Sequence, residues 1–111
     1  MSGYGGASSG GGGGSQPLLD CGNISFNTDI NSINKDAISG LTPNDFLEVK
    51  LIDGIVVVTN PINQEIIGSI NWSHILQLID CIGNGFLYKA KIRSIDDGLI
   101  KVHITPGKVP T

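Results

Sequence analysis

The stretch Phe46–Asn60, FLEVKLIDGIVVVTN, carries the clearest structural signal in the chain. Its first half alternates apolar and charged residues, and its second half is a β-branched run. Asp53-Gly54 separates the two halves, and Asp-Gly is typical of a two-residue hairpin turn because both central residues of a type I′ turn need positive φ. This turn predicts two apolar cross-strand pairs on one face: Leu51 with Val56, and Val49 with Val58.

Strand-like alternation continues on both sides of this hairpin, in residues 24–30, 65–70, 86–94 and 99–105. Gly68 lies inside one of these segments, where glycine often marks a bulge or a sharp bend. Short strands with frequent turns are typical of a small sheet that closes on itself. We therefore predict a mainly β fold, a small and partly open β-barrel of about six short strands.

Residues 72–82 follow a helical period instead, which predicts one short α-helix over about 72–82. Its apolar stripe is Trp72, Ile75, Leu76, Ile79 and Ile82. His74, Gln77 and Cys81 are expected on the opposite side of this helix. Asn71 or Ser73 is the expected N-cap, and Gly83 is expected just after the end. Together with the hairpins, the stripe predicts this core: Val49, Leu51, Val56, Val58, Trp72, Ile75, Leu76, Ile79, Ala90, Ile92, Val102 and Ile104.

A second hairpin is predicted in YKAKIRSIDDGLIKVHI, residues 88–104. A two-residue Asp97-Gly98 loop with straight pairing would mix apolar and polar side chains on both faces. A three-residue loop, residues 96–98, separates them and is the expected turn. It predicts these pairs: Ile95 with Leu99, Arg93 with Lys101, Ile92 with Val102, Lys91 with His103, Ala90 with Ile104, and Lys89 with Thr105.

The predicted register gathers basic side chains on one exposed face of this hairpin, which we call the basic ribbon. Its members are Lys89, Lys91, Arg93, Lys101 and His103. Like charges opposite each other cost stability, by up to about 1 kcal/mol per pair, unless an anion lies between them. Two interpretations remain, a solvated face that deters edge pairing or a site for an anionic partner.

Composition sets the broad class of the protein. The first fifteen residues are mostly Gly and Ser, so residues 1–15 are expected to be a flexible arm and residues 16–111 a single β-barrel domain. The net charge of −3 argues against generic binding to polyanions, although a local basic face is compatible with it. No apolar run approaches the ~18 residues that span a bilayer, so we expect no membrane association and a cytoplasmic location.

Catalytic and metal-binding patterns are weak. Cys21 and Cys81 are too few and too far apart for a metal site. We expect two reduced thiols, with a single disulfide from the first strand to the helix as the alternative. No Ser-His-Asp or Cys-His constellation and no phosphate-binding glycine loop is apparent. The sequence therefore predicts a protein that is not an enzyme and needs no cofactor or metal.

Three segments resemble the HIRAN domain family: LTPNDFLEVKL from Leu41, IVVVTNPINQEIIGSI from Ile55, and HILQLIDCIGNGFLYKAKIRSI from His74. The resemblance covers about residues 41–104 and implies a small barrel that binds single-stranded DNA ends. The family's Asn-Pro-aromatic-Asp segment has no counterpart, since Ile62-Asn63 follows Asn60-Pro61. No end-contacting residue is therefore transferred from the family to this chain.

These observations predict a non-enzymatic binding module that uses the basic ribbon against an anionic partner, single-stranded DNA or DNA ends in particular. The alternative is an adaptor domain that docks on an acidic protein surface. Single-strand binders usually combine cations with stacking aromatic rings, and the sequence alone places no such ring beside the ribbon.

Overall fold

Six antiparallel strands and one α-helix form the fold in the computed structural model, which describes residues 20–110. The predicted arm, residues 1–15, lies outside the described residues. The elements are β1 (Phe26–Asn31), β2 (Phe46–Ile52), β3 (Ile55–Thr59), β4 (Ile66–Ile70), α1 (Ile75–Gly83), β5 (Tyr88–Asp96) and β6 (Leu99–Pro106). Short 3₁₀ turns cover Cys21–Asn23 and Lys35–Ala37.

The strands close into a barrel in the order β1–β4–β3–β2–β5–β6. The predicted mainly β barrel is confirmed, and its closure is complete rather than partial. The reason is β1, which pairs with β4 at Ile30 and Asn31 and with β6 along Phe26–Asp29. Because β1 pairs with β4 on one side and with β6 on the other, the sheet closes into a ring and the described strands leave no open edge.

The β2–β3 hairpin has the predicted register. Val49 pairs with Val58 and Leu51 pairs with Val56. Asp53 and Gly54 have φ of 51° and 79°, as a type I′ turn requires. Val49, Val56 and Val58 are buried, and Leu51 packs against the core at the hairpin's outer end.

Gly68 marks the predicted irregularity in β4. Val58 pairs with Gly68 but Thr59 pairs with Ile66, so Ile67 is an extra residue in the ladder. A Cβ atom on Gly68 would lie 2.5 Å from Ile30 Cγ2 and 2.6 Å from the Asn31 carbonyl oxygen. Glycine is therefore needed here because β1 approaches β4 too closely for any side chain.

Helix α1 departs from the prediction in its start and its phase. It begins at Ile75 rather than Trp72, with His74 at the N-cap, and Gly83 is its last residue rather than the one after it. Leu78 and Cys81 are its buried residues, whereas Leu76 is 73% exposed. Apart from Leu76, all of the predicted core side chains are buried or pack against the buried core.

A disulfide joins Cys21 to Cys81, with an S–S distance of 2.01 Å, on the buried side of α1. The expectation of two reduced thiols is wrong, and the alternative pairing is correct. The bond draws Cys81 to the 3₁₀ turn before β1, so the face that contains Leu78 and Cys81 turns inward. Cys81 was expected on the outer side because helical periodicity does not include a covalent bond to a residue elsewhere in the chain.

The end of the barrel beneath α1 is filled by aromatic side chains. Trp72 stacks on Phe26, with ring centroids 3.8 Å apart and planes 3° from parallel. Tyr88 is buried, and its hydroxyl donates a hydrogen bond of 2.7 Å to the Cys21 carbonyl oxygen. Burial, and secondarily the negative charge of Asp20, raises the pKa of Tyr88 above its usual value. Tyr88 therefore has a structural role, as its inward register predicted.

Candidate anion-binding face

The β5–β6 hairpin reaches the predicted strand pairing by a different route. Asp97 and Gly98 have φ of 50° and 83°, so the turn is a two-residue type I′ turn and the expected three-residue loop is wrong. The register then shifts between Ile92 and Ser94, which leaves Arg93 as the extra residue of a β-bulge. Below the bulge the pairs are as predicted: Lys89 with Thr105, Ala90 with Ile104, Lys91 with His103, and Ile92 with Val102.

The bulge also changes the partner of Lys101. Ser94 pairs with Lys101, so the predicted pair of Arg93 with Lys101 is not formed. Both cations are nevertheless exposed and line one shallow groove together with Asn27 and Asp29 of β1. The groove exists because β6 lies between β5 and β1 in the barrel, which the hairpin register alone does not reveal.

The five residues of the basic ribbon divide into two groups. The side chains of Lys91, Arg93 and Lys101 form no hydrogen bond or ion pair with another described residue. Lys89 is half-buried, and its Nζ donates to the Pro106 carbonyl oxygen at 2.8 Å. Both ring nitrogens of His103 form hydrogen bonds. Nδ1 lies 2.8 Å from Asn27 Oδ1, and Nε2 lies 3.2 Å from Ser25 Oγ. The cations free to meet a ligand are therefore Lys91, Arg93 and Lys101.

Acidic residues flank the ribbon on both sides. Glu48 of β2 pairs with Lys89, and Asp29 of β1 pairs with Lys101. The Glu48 carboxylate is directed toward its own hairpin, where it accepts a hydrogen bond of 3.0 Å from Gln64 Nε2 and lies 3.9 Å from Lys50 Nζ. Lys50 also donates to Gln64 Oε1. The middle of the ribbon, at Lys91 and Arg93, therefore has no acid as a strand partner.

One aromatic side chain lies beside these cations and was missed by sequence reasoning. Phe46, the first residue of β2, pairs with Lys91 of β5, so the two side chains project from the same outer face. Phe46 is half-buried, while the next residue, Leu47, is fully buried. Strand alternation from Leu47, Val49 and Leu51 gives the outward direction of Phe46 in the sequence. Only the β2–β5 pairing places it next to Lys91.

Other kinds of site are not apparent in the described part of the chain. Residues 20–110 contain no group of three or more His, Cys, Asp or Glu side chains that could hold a metal ion. None of the helices between residues 20 and 110 has the length and apolar character required to cross a membrane.

Comparison with protein-family models, curated protein sequences and solved structures finds no match to this chain. The geometry of the face is therefore the basis for assigning a function.

Proposed function

We propose that this protein is a binding module without catalytic activity, and that its β5–β6 ribbon binds an anionic partner, specifically single-stranded nucleic acid or a DNA end. The observation that supports this is a group of three cations, the half-buried Lys91 and the exposed Arg93 and Lys101, which have no side-chain partner among the described residues. The HIRAN resemblance points to the same ligand class, and no comparison supports or opposes that family.

Uncompensated positive charge supports this proposal. Lys91 and Arg93 have no acid as a strand partner, and Lys101 lies on the adjacent strand, so these charges repel one another through screened solvent. Solubility would be served equally well by alternating signs, as Glu48 and Lys50 alternate on β2. An anion between the strands removes the repulsion and gains charge-assisted hydrogen bonds. Binding then has to order the long side chains only, because the strands already place their backbones side by side.

A second candidate function is an adaptor domain that docks the ribbon on an acidic protein surface. The net charge of −3 repels either anionic partner, and it repels nucleic acid more strongly because the phosphate backbone has the higher charge density. Salt should weaken both kinds of binding, because exposed charge pairs are screened, but the log-log slope for nucleic acid should count the phosphates contacted. Binding to an oligonucleotide therefore separates the two candidates.

The decisive experiment compares two single charge reversals by fluorescence anisotropy with a labelled single-stranded oligonucleotide at low salt. Arg93→Glu alters the ribbon, and Lys35→Glu alters an exposed cation of the turn that packs beside β4, opposite β5 in the barrel. Both change the net charge equally. We expect Arg93→Glu to weaken binding and Lys35→Glu to leave it nearly unchanged.

The double reversal Lys91→Glu with Arg93→Glu should weaken binding at least about tenfold, because about two phosphate contacts are lost and repulsion is added. Its thermal unfolding should match the parent, since both side chains project outward. If the double variant binds as tightly as the parent, or the parent does not bind at low salt, the nucleic-acid proposal is wrong and the adaptor proposal replaces it.

A cytoplasmic location stays a prediction, and the disulfide weighs against it because disulfides persist mainly in oxidising compartments. Rapid alkylation of thiols in freshly lysed cells would decide the point. Labelling of Cys21 and Cys81 would indicate a reducing compartment, and protection from labelling an oxidising one.

A further inference from the structure

A groove lies next to the basic ribbon on the far side of Phe46, between the turn before β2 and the turn after β3. We call it the Phe46 groove. Its volume of about 600 Å³ falls within the range of small-molecule sites. The residues that matter for its chemistry are Asn44, Asp45, Phe46, Asn60, Pro61 and Ile62.

The groove is mainly apolar and lacks cations. None of its lining residues is Lys or Arg. Its one carboxylate is Asp45, whose Oδ2 accepts hydrogen bonds from the Thr42 amide at 2.9 Å and the Thr42 hydroxyl at 3.1 Å, and its negative charge disfavours an anionic group in the groove. The groove therefore suits a neutral, flat group rather than a phosphate.

Two amide side chains at the groove retain hydrogen-bonding capacity. The side chain of Asn44 forms no hydrogen bond with another described residue, and Asn60 uses only Oδ1, which accepts from the Ile62 amide at 2.9 Å. An apolar and aromatic surface combined with groups that can still form hydrogen bonds is the usual composition of a small-molecule site.

Main-chain hydrogen bonds join the turn that lines the groove to the strand that bears the cations. The Asn44 amide donates to the Ile92 carbonyl oxygen at 2.7 Å, and the Ile92 amide donates to the Asp45 carbonyl oxygen at 2.8 Å. Ile92 lies between Lys91 and Arg93 in β5. The turn that supplies Asn44 is therefore fixed beside the two cations, and Phe46 pairs directly with Lys91.

We propose that the Phe46 groove is a nucleobase subsite, in which one base of a single strand stacks on Phe46 while its flanking phosphates lie at Lys91 and Arg93. This inference rests on the proposed function and names the part of the ligand that the ribbon alone does not bind. The charge distribution supports it, because a nucleotide has a neutral ring and a charged backbone, and the protein places a groove that contains Phe46 and no cation beside cations without a side-chain partner among the described residues. The amides of Asn44 and Asn60 are positioned to bond the edge of the base.

The test compares an oligothymidylate of about ten nucleotides, within the site sizes of small barrel domains, with an abasic strand of equal length. The two probes have the same phosphates and differ only in their bases. The full chain should bind the oligothymidylate at least about fivefold more tightly, since stacking contributes roughly 1–3 kcal/mol per base.

Phe46→Leu should remove this preference, so that both probes bind as the abasic strand does, and Phe46→Trp should keep it. The matched control is Phe86→Leu, which removes another exposed ring that does not line the groove and should leave the preference intact.

The outcomes separate the two proposals. Equal binding of the two probes by the parent, or an unchanged preference in Phe46→Leu, overturns the base subsite and leaves the ribbon standing. Binding of neither probe overturns the proposed function and the subsite together. The probe comparison on the parent needs no variant, so it decides the matter even if Phe46→Leu does not fold.

Discussion

The barrel contains two hairpins with the same turn and different strands. Asp53-Gly54 joins β2 to β3 and Asp97-Gly98 joins β5 to β6, with φ values that agree within a few degrees. The first ladder runs from Ile52 to Glu48 without a shift, whereas the second shifts at Arg93. The same turn therefore leads to a regular hairpin in one place and to a bulged hairpin in the other.

The difference shows what a bulge accomplishes. In the first hairpin the apolar residues have the right phase relative to the turn, so straight pairing buries them. In the second they are one residue out of phase, and straight pairing would place Ile92 and Val102 on opposite faces. An extra residue at Arg93 restores the phase. It also places an unpaired, exposed cation in the middle of the ribbon.

The outer faces of the hairpins differ as well. On the first, Glu48, Gln64 and Lys50 bond to one another. On the second, Lys91, Arg93 and Lys101 have no such partners among the described residues. The charged side chains on the first face bond to one another, and those on the second remain available to a ligand, although both faces belong to the same sheet.

Deleting one residue from each hairpin should give the largest contrast. Deletion of Lys50 shifts β2 by one residue and moves Leu47 and Val49 out of the core, so we expect loss of the folded state. Deletion of Arg93 removes the bulge and lets Ile92–Val102 and Ser94–Lys101 follow each other directly. Its free energy of unfolding should stay within about 1 kcal/mol of the parent.

Urea unfolding followed by circular dichroism measures both deletions. The contacts of β5 with β2 and the turn before it give no reason for a second effect, because they extend only to Ile92 and do not include Arg93. If both deletion variants are unfolded, the bulge does not have the role assigned to it.

The disulfide constrains the two hairpins differently. The chain segment between its two cysteines contains the first hairpin and not the second. The cysteines are 60 positions apart in sequence, and replacing both by serine should lower the free energy of unfolding by about 2–4 kcal/mol. Urea unfolding with and without a reductant measures this. The parent should lose stability in reductant and the Cys21→Ser, Cys81→Ser variant should not. Equal sensitivity of both proteins would argue against the bond.

The equivalence of the turns can be tested with Asp53→Ala and Asp97→Ala. Each puts alanine at positive φ, which costs roughly 1–2 kcal/mol, so we expect two similar losses in chemical denaturation. A three-residue loop in the second hairpin would place Asp97 at negative φ, and its replacement would then be nearly neutral. Glycine at either position should be tolerated, which serves as the control.

The smallest expected effect concerns the base of the second hairpin, where Tyr88 anchors β5 to Cys21. Its pKa is raised in the folded protein, so folding favours the protonated phenol. The corresponding stability is present below the unfolded pKa of about 10 and is lost as the pH rises through the raised value. Tyr88→Phe should therefore lose less stability than the parent between neutral and strongly alkaline pH. An identical alkaline slope in the two proteins would contradict this.

Some features of the chain were accessible from local patterns. The first hairpin needed only Asp53-Gly54 and the alternation around it, because a turn type and a buried face together define one register. The irregularity at Gly68 and the inward direction of Tyr88 followed from strand periodicity. The pairing of Lys91 with His103 was also predicted, although the loop from which it was derived was wrong.

What the sequence determined by itself is the mainly β barrel, the two hairpins and the clustering of cations on one of them, because turn chemistry and period-two patterning act between near neighbours. What only the tertiary structure decided is everything that depends on non-neighbouring strands. The disulfide holds the Cys81 side of α1 inward while Leu76 is exposed, β1 closes the barrel and brings Asp29 to Lys101, and β2 places Phe46 beside Lys91. These contacts bring together residues far apart in sequence, and local periodicity carries no information about such contacts.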